Sequence, residues 1–196
     1  NGEMLALAQT RISDERIKWQ AADAQCLPFE DESFDHVICQ FGVMFFPEKQ
    51  QSFNEVYRVL QTGGTYVFNV WDEMLYNPRS FIIKQVMDDM LGEGAPDFMK
   101  KGPYSFFNKE EIRETLQRAG FQTVKIEVVK KTAAYSSPDD VIRGFVEGSP
   151  LSSFIHKKPV AIQEAIRLRL REELIAQGAQ YGTAIPLQAL VIAAVK

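Results

Sequence analysis

Residues 22–49 read ADAQCLPFEDESFDHVICQFGVMFFPEK, and this stretch decides the fold. Its second half holds a compact apolar run, FDHVICQ, behind an acidic turn. A run of that kind suits a strand buried on both faces, as in parallel sheets. Just upstream, IKWQAA alternates apolar and polar residues, which predicts a strand over Ile17–Ala21 at a sheet margin. Asp23 follows the first predicted strand at the head of a polar turn, and Gln40-Phe41 follows the second. Ligands of open α/β sheets bind beyond the carboxyl ends of strands, near a point where the strand order reverses. Both positions meet that rule.

Outward from this stretch the pattern keeps alternating. Met4, Leu5, Ala8 and Ile12 fall at helical spacing. In QQSFNEVYRVLQTGG, Phe53, Val56, Tyr57 and Leu60 share one stripe, and Gly63-Gly64 are expected to stop the helix. TYVFNVW is then a strand rich in β-branched and aromatic residues. NPRSFIIKQVMDDML predicts a helix, and a Gly/Pro-containing loop follows it. Asn108 is placed to cap KEEIRETLQRAG, with Glu111 at the third helical position and Gly120 closing. FQTVKIEVVKKTAAY reads as a long strand, and Ser137-Pro138 open another helix. A long amphipathic helix runs from Pro159 through Gln177, and LQALVIAAV is a final strand. Strands and helices in this order define an α/β class with right-handed crossovers.

The 196 residues suit one domain with a small cap. Hydrophobic residues make up 45%, charged residues 24%, and the net charge is −4. A mildly acidic chain with scattered Lys and Arg has no field to gather nucleic acid or an anionic membrane, so no nucleic-acid partner is expected. No apolar run reaches the ~20 residues that span a bilayer, so no stable membrane insertion is expected. Cys26 and Cys39 have neither a CxxC partner nor a His at ligand spacing. No metal is therefore expected, and both read as reduced thiols of a cytoplasmic protein.

A carboxylate just past a strand can accept a hydrogen bond from an exocyclic amine, and neighbouring backbone N–H groups can bond a ring nitrogen. At Asp23 these contacts describe an adenine site, with Met4 or Leu27 as apolar walls. The whole block from Asp23 to Asp72 resembles class I S-adenosylmethionine-dependent methyltransferases, and within them the ubiquinone/menaquinone-biosynthesis-like (type 11) group. The resemblance is strong over residues 1–72 and continues as element order beyond. It implies a Rossmann-like, mostly parallel twisted sheet flanked by helices, ordered 3-2-1-4-5-7-6, with the last strand antiparallel. It also implies S-adenosylmethionine as cofactor. Asp23 would bond the adenine N6 amine, the Ala24 N–H would face N1, and Gln25 and Leu27 would border the ring. Met4 would pack near adenine. Gln40, with Phe41 beside it, would meet the methionine end. The family's glycine-rich loop has no counterpart here, since no GxGxG occurs. By that analogy ~60–80 further N-terminal residues are expected in the native protein, which an intact-mass measurement checks.

The expected activity is methyl transfer to a small-molecule acceptor by in-line displacement. Met44 and Trp71 are the expected acceptor contacts, although a core role suits Met44 and a packing role suits Trp71 equally. The catalytic base is unknown. His156 is a weak candidate, outweighed about three to one by a solvated loop histidine; Tyr104 and Tyr135 are weaker. A single domain over 1–196 is expected, with a helical lid over about 74–107 and 136–180. A homodimer is left open. Three other readings compete: a non-catalytic S-adenosylmethionine-binding module, a Rossmann-type NAD(P)-dependent oxidoreductase and a structural partner in a complex.

Overall fold

The structure is a computed structural model and describes residues 2–134, 137–182 and 184–196. Among these residues the strands form one four-stranded sheet, ordered β1-β2-β4-β3. The strands are β1 (Phe34–Gln40), β2 (Leu60–Trp71), β3 (Thr123–Ala134) and β4 (Ala184–Val195). β1 and β2 are parallel, and β4 is antiparallel to both β2 and β3. Three strands therefore share one direction and the last runs against them. This is the 4-5-7-6 end of the sheet order that the resemblance implies.

β2 is central, and from Gly64 onward its burial alternates with period two. Tyr66, Phe68 and Val70 point into a core that α2 (Lys49–Val59) and α5 (Lys109–Arg118) complete with Phe53, Val56, Ile112 and Leu116. The Asn108 side chain accepts from the Glu110 and Glu111 backbone N–H groups, which is the expected cap. A second core lies outside the sheet. It joins α3 (Pro78–Leu91), α4 (Phe98–Lys101), α6 (Pro138–Val141), α7 (Pro150–Ile155), α8 (Val160–Tyr181) and a wide helical turn at Ile142–Glu147. The Ser137 hydroxyl caps α6 by accepting from the Asp140 N–H.

Several expectations are corrected. Ile17–Ala21 is not a strand. Among the described residues β1 pairs with β2 alone, so no sheet edge holds the Ile17 segment, and an unpaired strand has little stability of its own. β1 is not buried on both faces either, and Ile38 is 75% exposed. α2 ends at Val59, and Gly63-Gly64 lie inside β2 instead of stopping the helix. Gly63 adopts φ +81°, and the pairing of β1 with β2 slips between Phe34 and His36. A Cβ at Gly64 would sit 2.7 Å from the Gln61 carbonyl oxygen, so glycine is needed where the chain turns into the sheet. α8 runs four residues beyond Gln177, to Tyr181. The helix α1 (Gly2–Arg11) forms as expected, with no residue buried.

Candidate functional site

Asp23 sits in a tight turn. Its carbonyl accepts the Cys26 N–H at 3.0 Å, and its Oδ1 accepts the Gln25 N–H at 2.9 Å. Asp side chains favour this self-bonded turn. The second carboxylate oxygen has only a long 3.5 Å contact, from Gln25 Nε2, and the residue is exposed. The turn is tied to the head of α2, where Gln25 Oε1 accepts the Glu48 N–H at 3.1 Å and Gln51 Nε2 donates to the Gln25 carbonyl. Downstream, Glu55 accepts the Leu27 N–H at 2.7 Å. Arg58 donates to the Leu27 and Phe29 carbonyls and pairs with Glu55 and Asp31. The Arg58 guanidinium, with the Leu27 N–H adding to it, holds the Glu55 carboxyl below its usual range. The segment after the Asp23 turn is thus clamped by Glu55 and Arg58, two charged residues that the sequence pattern did not single out. Their i,i+3 spacing on an otherwise amphipathic helix was the available signal.

The carboxyl end of β1 carries the second feature. Phe41 adopts φ +49°, a left-handed conformation uncommon outside glycine and frequent at functional corners. Its N–H donates to Asn69 Oδ1 on β2 at 2.9 Å. The next residue is Gly42, where a Cβ would lie 2.7 Å from Cys39 Sγ. Burial pushes the Cys39 thiol up, while the Gly42 and Val43 backbone N–H groups pull it the other way. A short helical turn at Val43–Phe45 follows and buries Met44 in the first core, at 1% exposure. Gln40 itself is exposed at the strand end.

Phe41 stacks on Trp71, the last residue of β2, with ring centroids 4.5 Å apart and planes at 27°. The two neighbouring strand ends are therefore joined by their aromatic rings. Trp71 is fixed from behind. Asp72 is buried, accepts the Glu73 N–H at 2.8 Å and accepts from Gln188 Nε2 at 2.7 Å. Asn77 exchanges two hydrogen bonds, both 3.0 Å, with the Gln188 main chain. This latch joins the end of β2 to β4 and to the start of α3. Its members are spread over more than a hundred residues, so no local motif announced it.

Beyond Trp71 lies an apolar pocket of about 250 Å³, lined by Trp71, Ile83, Met99, Phe145 and Leu151 among others. Tyr104 closes one side. Its ring lies 6.4 Å from Trp71, and its hydroxyl and Ser80 Oγ are 2.7 Å apart. Burial pushes the Tyr104 phenol up to about 12, against the opposing effect of the Ser80 bond. Tyr104 is therefore protonated at neutral pH.

The remaining candidates are placed apart. His156 follows α7, is exposed, and bonds Ser152 through Nδ1 at 3.2 Å. It lines a different cavity, between α7 and α8, which shares no residue with the Trp71 pocket. Met4 is 71% exposed on α1. Tyr135 lies outside the described residues. The structure brings together Asp23, Ala24, Gln25 and Leu27 at one turn and Gln40, Phe41 and Trp71 at one corner, with the head of α2 between them.

A four-stranded α/β sheet with an antiparallel last strand and a corner at two parallel strand ends defines a Rossmann-like, methyltransferase-type fold. Residues 1–68 match the family described as "Methyltransferase domain". Over 132 residues the chain is 30% identical to the mitochondrial 2-methoxy-6-polyprenyl-1,4-benzoquinol methylase of Drosophila melanogaster, covering 63% of this chain and 44% of the fly protein. The YcgJ protein of Bacillus subtilis superposes with a TM-score of 0.60 at 16% identity, over 100% of this chain and 79% of that one. The phosphoethanolamine N-methyltransferase 2 of Haemonchus contortus, crystallised with S-adenosyl-L-methionine, gives 0.54 at 22% identity, over 98% of this chain and 41% of that one. The family match covers residues 1–68, about a third of the chain, and the fold of the described residues is the one these solved structures share. The chain spans under half the length of the curated quinol methylases it matches.

Proposed function

We propose that this chain takes part in methyl transfer from S-adenosylmethionine to a small, apolar acceptor. The observation that carries the reading is the corner at the ends of β1 and β2. There a strained Phe41, held by Asn69, stacks on Trp71 at the mouth of an apolar pocket. The solved N-methyltransferase with the same fold holds S-adenosyl-L-methionine, which supports the choice of donor. The residues here fit such a donor. Asp23 keeps a carboxylate oxygen able to accept, and Gln40 is exposed beside the corner.

In this reading Asp23 accepts from the adenine N6 amine, the Ala24 N–H faces ring N1, and Gln25 and Leu27 border the ring. Met4 approaches adenine from α1. Gln40 and Phe41 meet the methionine end. When bound, S-adenosylmethionine supplies a methyl group made electrophilic by its sulfonium. The work left to the chain is positioning and exclusion of water, which can account for much of the acceleration. Trp71 flanks the acceptor, Met44 packs behind the corner, and the elements over 74–107 and 136–180 act as a lid. A phenol or an activated carbon can lose its proton to solvent, so no dedicated base is required. The likeness to a polyprenyl-benzoquinol methylase favours an aromatic acceptor. A cytoplasmic, reducing setting suits the free thiols Cys26 and Cys39.

The test is titration of S-adenosylmethionine into the full-length protein and into Asp23→Ala. Loss of one charge-assisted bond should weaken binding by about 1.5–3 kcal/mol, with only a small loss of thermal stability, because the Gln25 N–H that Asp23 bonds lies in an exposed turn. Equal affinity of the two proteins overturns the adenine assignment. Binding without turnover of any phenolic or amine acceptor would leave a cofactor-binding module.

A further inference from the structure

Tyr104 lines two neighbouring cavities. On one side is the apolar pocket of about 250 Å³ that begins at Trp71. On the other is a larger cleft of about 660 Å³, whose walls include Met74, Leu75, Phe81 and Ser105 and whose rim carries Lys84 and Asp88. Tyr104 is 7% exposed, so the ring is a partition with protein or cavity on each side and little solvent. It is held at two points. Its hydroxyl is bonded to Ser80 Oγ at 2.7 Å, and its ring packs toward Trp71 at 6.4 Å. Swinging the ring aside would leave a buried hydroxyl unpaired and uncover Trp71, and both changes are unfavourable. The backbone behind it is anchored as well, since Ser105 Oγ donates to the Met44 carbonyl at 2.9 Å.

We propose that Tyr104 is the specificity-determining wall of the acceptor pocket: pinned by Ser80, it closes the inner pocket against the outer cleft and limits it to short, flat, apolar molecules. The inner volume lies below the ~300–1,000 Å³ typical of drug-sized ligand sites, whereas the outer cleft lies within it. Truncating Tyr104 would merge the two and admit a molecule with a ring at Trp71 and a chain in the cleft. Ser80 is the positioning residue, because it holds the wall and presents no other polar partner to it. The inference rests on the acceptor pocket of the proposed function. It concerns which molecules enter that pocket and needs no methyl transfer.

The probes are 4-ethylphenol and 4-octylphenol. Binding is read as quenching of Trp71 fluorescence in a Trp19→Phe background, since Trp19 and Trp71 are the two tryptophans. The protein with Tyr104 is expected to bind 4-ethylphenol at least about tenfold more tightly than 4-octylphenol. Tyr104→Ala should reverse that order, while Ser80→Ala and Tyr104→Phe, each of which removes the bond that pins the ring, should both narrow it. If Tyr104→Ala does not fold, Tyr104→Leu and Ser80→Ala carry the test. An unchanged selectivity ratio in these variants overturns the proposal, as does equal binding of the two phenols by the protein with Tyr104. Phenols that bind with the expected order but are never methylated would sink the proposed function and leave the wall standing. Methylation with a ratio indifferent to residue 104 would do the reverse.

Discussion

The molecule has two cores that differ in kind. The sheet core carries a cluster of buried aromatic rings among its aliphatic side chains. Phe53 meets Tyr66, Phe68 and Phe106 at centroid distances of 5.8, 5.4 and 6.2 Å, and Tyr57 and Tyr66 both pack on Phe121. The helical core is mostly aliphatic, built from Ile83, Val86, Met87, Ile142, Leu151, Ile166, Leu170 and Leu174. Interlocked rings on a hydrogen-bonded sheet give a frame that fixes strand ends. Aliphatic side chains between helices give a cover with more freedom to repack. Trp71 packs against both cores, which places the candidate site on their boundary. The frame positions Phe41 and the Asp23 turn, while the cover shapes what can approach Trp71.

The largest expected effect tests the frame. Phe53→Ala should cost about 3–5 kcal/mol in guanidinium unfolding and lower the protection of the whole sheet in hydrogen exchange. Leu170→Ala in the cover should cost about 2–5 kcal/mol, with exchange rising first in α3 and α8. Equal loss of protection everywhere in both variants would mean that the two cores behave as one.

A smaller effect is expected at the boundary. Asn69→Leu leaves the Phe41 N–H without its partner and should cost about 1–3 kcal/mol. Tryptophan emission should also shift as the Phe41–Trp71 stack loosens. Unchanged emission would show that the stack holds itself.

The Glu55–Arg58 clamp should make stability depend on acid pH. The Glu55 carboxyl is held below its ordinary value in the folded chain. Its contribution is therefore complete above the ordinary Glu range and is lost as the pH falls through the lowered folded value. Glu55→Gln should flatten that part of the acid limb in a series of thermal melts. An identical limb in the variant would assign the acid sensitivity elsewhere.

The smallest effect has the opposite sign. Gln177 is buried in α8, and among the described residues neither of its amide atoms has a hydrogen-bond partner. Gln177→Met should be neutral or stabilise by up to about 1 kcal/mol, measured by denaturant midpoint. A clear loss would mean that the cover needs a polar group there.

Much of the fold was legible because its signals are local. Asn108 and Ser137 cap the helices they were expected to cap, and the order of elements from β1 to β4 follows from the switch between two- and 3.6-residue periods. The errors share one cause. Ile17–Ala21 has a strand's alternation, and β1 has a doubly buried strand's composition, but pairing and burial depend on neighbours that a local pattern does not report. Gly63-Gly64 read as a helix stop for the same reason, although the residues serve a turn inside β2.

The sequence alone determined which residues end up at the ends of β1 and β2, since those ends follow from periodicity and turn residues, and Gln40, Phe41 and Trp71 were visible that way, whereas the strand expected before Asp23 is absent and Asp23 sits in a turn. Only the tertiary structure decided what those residues do to one another. The left-handed Phe41, its bond to Asn69, its stack on Trp71, and the Asp72–Asn77–Gln188 latch each join segments far apart in the chain. Such contacts form only when the sheet closes and brings the ends of β1, β2 and β4 side by side, so they are a property of the register and not of any single segment.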